Sequence, residues 1–134
     1  MRNPLSAFIP PARARRASDV LERIVMSSGD VRLAVVSTPD GFEIASSGTG
    51  ESGDARRLAA MAGSMMAMAG AMGREVRFGD PVRLTFETRN GVAVLQASGG
   101  EFPSLLCMLL EPSAVLGRAL HSAGAAAALL AQPV

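Results

Sequence analysis

The sequence predicts an α+β domain in three layers, helix on sheet on helix, around a five-stranded, mainly antiparallel sheet with element order αββαβββα. Three observations predict it. Turn signals at Thr38-Pro39-Asp40-Gly41 and Asn90-Gly91 each sit between two short apolar runs, the pattern of a β-hairpin. Leu33 to Val36 (LAVV) and Leu105 to Leu110 (LLCMLL) are apolar without alternation, as expected of central strands covered on both faces. Three further segments carry apolar residues at helical spacing. With 134 residues, of which 49% are hydrophobic, the chain suits one domain with a real core.

Residues 1–17, MRNPLSAFIPPARARRA, read as a flexible Pro/Arg-rich arm, leaving 18–134 as the folded domain. Ser18 is the expected N-cap of the first helix, with Glu22 near its first turn. Val20, Leu21, Ile24 and Val25 form its apolar face, and Ser28, Gly29 and Asp30 end it. Val31 to Ser37 is the first strand, and Phe42 to Ser47 the return after the Pro39–Gly41 turn. A Gly/Ser-rich loop runs from Ser46 to Gly53. Asp54 then caps a long helix that continues to about Glu75. Asp80 and Pro81 interrupt the chain before Val82 to Arg89, which alternates cleanly. Val82, Leu84, Phe86 and Thr88 share one face, and Arg83, Thr85, Glu87 and Arg89 the other, so one face is wet or interfacial. Asn90-Gly91 turns the chain into Val92 to Ala97. Ser98-Gly99-Gly100 turns it again into Ser104 to Leu110. Pro112 and Ser113 open the last helix, which runs to about Ala131.

The most informative stretch is Leu58 to Gly73, LAAMAGSMMAMAGAMG, sixteen residues without a charge. Leu58, Met61, Met65, Met68 and Met72 step by three and four and lie on one helical stripe. Ala60, Gly63, Ala67 and Gly70 make a second stripe of small residues. A helix apolar all round needs cover on more than one side. Its span of about 24 Å is marginal for a bilayer, so the expected cover is a sheet on one side and a second copy of the chain on the other. Gly63, Gly70 and Gly73 each cost about 1 kcal/mol relative to Ala inside a helix, which close approach of another backbone would offset.

Composition excludes several classes. A net charge of +1 gives no general attraction to nucleic acid or membranes. All 13 basic residues are Arg and are scattered, while Tyr and Trp are absent, so base stacking would fall to five Phe. No integral membrane segment and no signal peptide are expected. Cys107 and His121 are the only Cys and His, too few for a structural zinc site. Apolar neighbours of Cys107 would keep its thiol protonated, which argues against a Cys–His pair. The loop from Ser46 to Gly53 lacks the Lys and spacing of a phosphate-binding loop. No catalytic residue, cofactor or metal is expected. Arg56, Arg57 and Arg74 flank the Met-rich helix and are candidates for contact with an acidic partner.

These residues resemble the roadblock / dynein light-chain domain family. The resemblance is carried by VVSTPDGFEIASSG, by the helix opening DARRLAAMAGSMMAMA, by the paired strands around Asn90-Gly91, and by LLCMLLEPSAVLGRAL with its Leu116-Gly117 pair. It spans about Ser18 to Ala131 and implies a dimer, homodimeric or formed with another roadblock chain, built through the central helix and the third strand. In this sequence the implied interface is Leu58, Met61, Met65, Met68, Met72, Val82, Leu84 and Phe86. The resemblance to bacterial, MglB-like members implies a non-catalytic cytoplasmic module that binds a Ras-like small GTPase and modulates its GTP hydrolysis or signalling state. The alternative it implies is a scaffold or adaptor subunit of a bacterial signalling complex with no effect on GTP turnover. The long Pro/Arg arm departs from the family pattern.

Overall fold

The computed structural model describes residues 9–134. Its elements follow the expected order: α1 (Pro11–Val20) running into a π-helical turn (Leu21–Val25), β1 (Val31–Ser37), β2 (Glu43–Gly48), α2 (Asp54–Glu75), β3 (Arg83–Thr88), β4 (Gly91–Ser98), β5 (Ser104–Leu110) and α3 (Leu116–Ala131). The sheet order is β2-β1-β5-β4-β3, and every pairing is antiparallel. The two unalternating apolar strands, β1 and β5, are hydrogen-bonded neighbours at its centre. Their side chains divide between the layers. Ala34, Val36, Leu106, Met108 and Leu110 pack with α1 and α3, while Leu105 and Cys107 pack with Ala62 and Met66 of α2.

The first helix begins at Pro11, not at Ser18. Residues 11–17 of the expected arm are therefore helical, while residues 1–8 of it lie outside the described residues. Pro11 occupies the first helical position, where a missing N–H costs nothing. Arg13 and Arg16, three residues apart on one face, reach the end of α3. Arg13 Nη1 donates to the carbonyls of Leu130 and Gln132, and Arg16 donates to those of Leu129 and Pro133. Leu129 and Leu130 belong to the last turn of α3 and Gln132 and Pro133 follow it, so both guanidiniums sit at the negative end of that helix. The last helix starts at Leu116, later than Pro112-Ser113 suggested. The β3–β4 turn is Arg89-Asn90, and Gly91 belongs to β4, opposite Thr88.

Two ion pairs hold the start of β1, one to the end of β5 and one to α3. Arg32 donates to both Glu111 oxygens, and Arg118 Nε and Nη2 donate to both oxygens of the buried Asp30 at 2.7 and 2.9 Å. The Arg118 guanidinium, outweighing the desolvation that opposes it, holds the Asp30 carboxyl below its ordinary range. A depressed folded value stabilises the fold above the unfolded Asp value near 3.9, and the contribution is lost as pH falls through the folded value. Arg118→Ala is therefore expected to lower the urea midpoint at pH 7, with the gap to the parent narrowing as the pH is taken below about 3.9. An equal gap at both pH values would remove the pair as its cause.

The glycines of α2 meet backbone from their own chain. A Cβ on Gly63 would lie 3.0 Å from Cα and N of Gly41 in the β1–β2 turn, and one on Gly73 would lie 2.0 Å from the carbonyl oxygen of Gly79. The close approach expected on the small stripe is thus made at Gly63 by a hairpin turn of the same chain. The helix ends in a Schellman motif: Phe78 N–H bonds Gly73 C=O and Arg77 N–H bonds Arg74 C=O. Arg77 sits at the left-handed position with φ 63°, where other helices place Gly. Arg77→Gly is expected to raise stability by about 1 kcal/mol, readable as a higher thermal midpoint. An unchanged or lowered midpoint would contradict it.

Candidate interaction surface

α2 lies over β1, β2 and β5 and meets β3 only around Leu84. Its buried face is Ala59, Ala62, Gly63, Met66 and Gly70, one step round the helix from the Met stripe. The five-residue stripe is split as a result. Leu58 and Met65 are half-buried and pack beside Leu95, Leu105 and Cys107. Met61, Met68 and Met72 turn outward and are 59%, 63% and 72% exposed. Of the small stripe, Gly63 and Gly70 are buried, whereas Ala60 and Ala67 are exposed.

β3 is an edge strand, and its alternation is as the sequence suggested. Leu84 stands opposite Leu95 and Phe86 opposite Ala93, on the sheet face that carries α2. Leu84 packs against the same cluster as Leu58 and Met65, so the helix stripe and the strand face adjoin. Val82 and Phe86 extend that face and are exposed. On the other face, Arg83 is fixed: Nε donates to Gln96 and Nη2 to the carbonyl of Leu120 in α3. The result is an apolar surface beside an edge strand whose outer backbone groups have no strand partner among the described residues. Such a surface on a small domain marks an interaction site.

The flanking arginines do not join into one patch. Arg56 and Arg74 are separated along α2 by about 27 Å. Arg57 pairs with Asp54, and Arg74 with Asp80 at 3.3 Å. All three side chains are exposed.

Cys107 and His121 belong to different layers. Cys107 is buried under α2, where desolvation pushes its thiol up to about 12, and His121 is exposed on α3 across the sheet. No Cys–His pair can form. Among the described residues, no group of three His, Cys, Asp or Glu could hold a metal ion, and no helix is long and apolar enough to cross a membrane.

The family model for the Roadblock/LC7 domain matches residues 17–108, which include both α2 and β3. The chain belongs to the Roadblock/LC7 family. No curated protein is similar to it at a significant level. Three solved structures share the roadblock fold over most of their length. An MglB described with a tetrameric arrangement is 22% identical, with a TM-score of 0.80, 92% of this chain covered and 90% of that one. The gliding protein MglB from Thermus thermophilus is 21% identical, with a TM-score of 0.79 and coverages of 92% and 91%. MglB from Myxococcus xanthus is 15% identical, with a TM-score of 0.81 and coverages of 92% and 90%.

Proposed function

We propose that this roadblock chain is a non-catalytic, cytoplasmic homodimer that binds a Ras-like small GTPase and modulates its GTP hydrolysis or signalling state. One observation carries the dimer: Met61, Met68 and Met72 are exposed on the helix whose Leu58 and Met65 adjoin Leu84 of the open edge strand, and Val82 and Phe86 are exposed on that same sheet face. An apolar surface of this kind is expected to be covered, and pairing β3 with β3 of a second copy would remove the edge. Membership of the roadblock family and the shared fold with MglB support the GTPase. Flexible Met side chains suit a surface that repacks against different partners. The buried, protonated Cys107 thiol and the distant His121 support the regulatory reading over a Cys–His catalytic one.

Light scattering on the purified chain tests both parts. A mass twice the 13.8 kDa of one chain is expected. The dimer should then bind a Ras-like GTPase encoded beside it when loaded with a GTP analogue, more weakly when loaded with GDP, and change its hydrolysis rate. Binding without a change in turnover would make the chain a signalling scaffold, and a monomer would remove the interface argument.

A further inference from the structure

We propose that the cavity enclosed by α1, the β1–β2 hairpin and the C-terminal end of α3 binds a small amphiphilic carboxylate of the class of a medium-chain fatty acid. The cavity is on the layer opposite α2 and does not depend on the GTPase reading. Its volume is about 240 Å³, which at about 30 Å³ per water-sized unit holds a ligand of about eight such units. Its walls are mostly apolar, with Val36, Phe42, Ile44 and Leu130 on three sides.

The same wall holds a buried cation with no counter-charge among the described residues. Arg13 is only 8% exposed. Its Nη1 is committed to two α3 carbonyls, and its guanidinium lies 4.7 Å over the Phe102 ring. Its ion partners are missing: no described carboxylate pairs with it, and residues 1–8 contain no Asp or Glu. A charge taken out of water without an opposite charge is strongly unfavourable, and the negative end of α3 answers only part of it. Two side-chain polar atoms of lining residues, Arg13 Nε and Ser104 Oγ, are also buried without a hydrogen-bond partner among the described residues. Ser104 is 6% exposed. Orphaned groups of this kind in a native fold call for an occupant.

Two unpaired donors on lining residues, together with the uncompensated positive charge, favour an anionic head group such as a carboxylate over a neutral or cationic one. The apolar walls match a short hydrocarbon tail. Arg16 adds a second positive charge to the lining, against the single carboxylate of Asp40. An alcohol of equal length would fill the same space but leave the charge unanswered, and an amine would oppose it.

The chain lacks Trp and Tyr, so the test is methyl NMR on the full-length protein titrated with octanoate, octanol and octylamine. Saturable shifts of the Val36, Ile44 and Leu130 methyls with octanoate are expected, at least about tenfold tighter than with octanol, and none with octylamine. Ser104→Ala and Arg13→Gln should each weaken octanoate while leaving octanol unchanged. Because Arg13 also holds α1 to α3, Ile44→Trp, from a half-buried position in the wall, provides a variant that fills the cavity and should abolish binding. Equal affinity for octanoate and octanol would overturn the proposal, as would shifts that do not saturate. So would Overhauser contacts from these methyls to Leu5 or Phe8 with no response to octanoate, which would give the cavity to the chain's own N-terminal residues.

Discussion

Met68→Glu is expected to yield a folded monomer where the parent chain is a dimer. In the isolated chain Met68 is 63% exposed. A glutamate there stays hydrated, and such surface changes usually move stability by no more than about 0.5 kcal/mol. Across a twofold interface, the same carboxylate would be stripped of water twice, once from each copy. Leaving a buried charge unpaired costs about 3–5 kcal/mol, so the dissociation constant should rise more than about 100-fold. Sedimentation equilibrium reads the mass, and a cooperative melt near the parent midpoint shows that the fold survives. Met65→Glu is a poorer probe, because Met65 is half-buried beside Leu95, Leu105 and Cys107. A normally folded dimer from Met68→Glu would take α2 out of the interface.

Thr85→Pro should separate strand pairing from helix packing. In the β3–β4 hairpin Thr88 faces Gly91 across a two-residue turn, and Ala97 N–H bonds Val82 C=O. The alternation of an antiparallel ladder therefore directs the backbone groups of Val82, Leu84, Phe86 and Thr88 toward β4, and those of Arg83, Thr85 and Glu87 to the open edge. Proline at Thr85 removes one outward N–H and breaks no bond to β4, the placement that edge strands tolerate. Association should weaken at least tenfold, about 1.4 kcal/mol, with the monomer still folding cooperatively. Phe86→Pro, which removes a bond to β4, is the contrast and should lower the melting midpoint of the fold itself. Unaltered association in Thr85→Pro would mean that dimerisation does not extend the sheet through β3.

The elements read most accurately were those whose local signal agrees with their environment. β1 and β5 are apolar on both faces because both faces are covered, and their observed bounds are those read from the sequence. α2 runs from Asp54 to about Glu75 as read, but Gly53 is its N-cap, and Asp54 is the first helical residue, acting through its charge in the first turn rather than as the cap. The misread boundaries are those set by distant partners. Pro10 and Pro11 suggested an extended arm, yet Pro11 starts a helix whose Arg13 and Arg16 close the end of α3 more than a hundred residues away. The signal was present as Pro followed by Ala and Arg at helical spacing, but its reason lay at the other end of the chain.

The sequence by itself determined the layer order, the two hairpins, the central strands and the helix that bears the Met stripe. Periodicity and turn chemistry are local and need no partner to be read. Only the tertiary structure decided which side of that helix meets the sheet. Three and four residue steps put five apolar side chains on one stripe, but the sheet takes the neighbouring face of Ala59, Ala62 and Met66. Leu58 and Met65 are left at the border, and Met61, Met68 and Met72 face out. Gly63 turns that choice into geometry, since only a residue without a side chain lets the helix approach the turn at Gly41 so closely. The cavity around Arg13 was equally out of reach of sequence reading. It is formed by α1, the β1–β2 hairpin, the start of β5 with the loop before it and the end of α3, segments that no local pattern connects, and it exists only because packing brings them together.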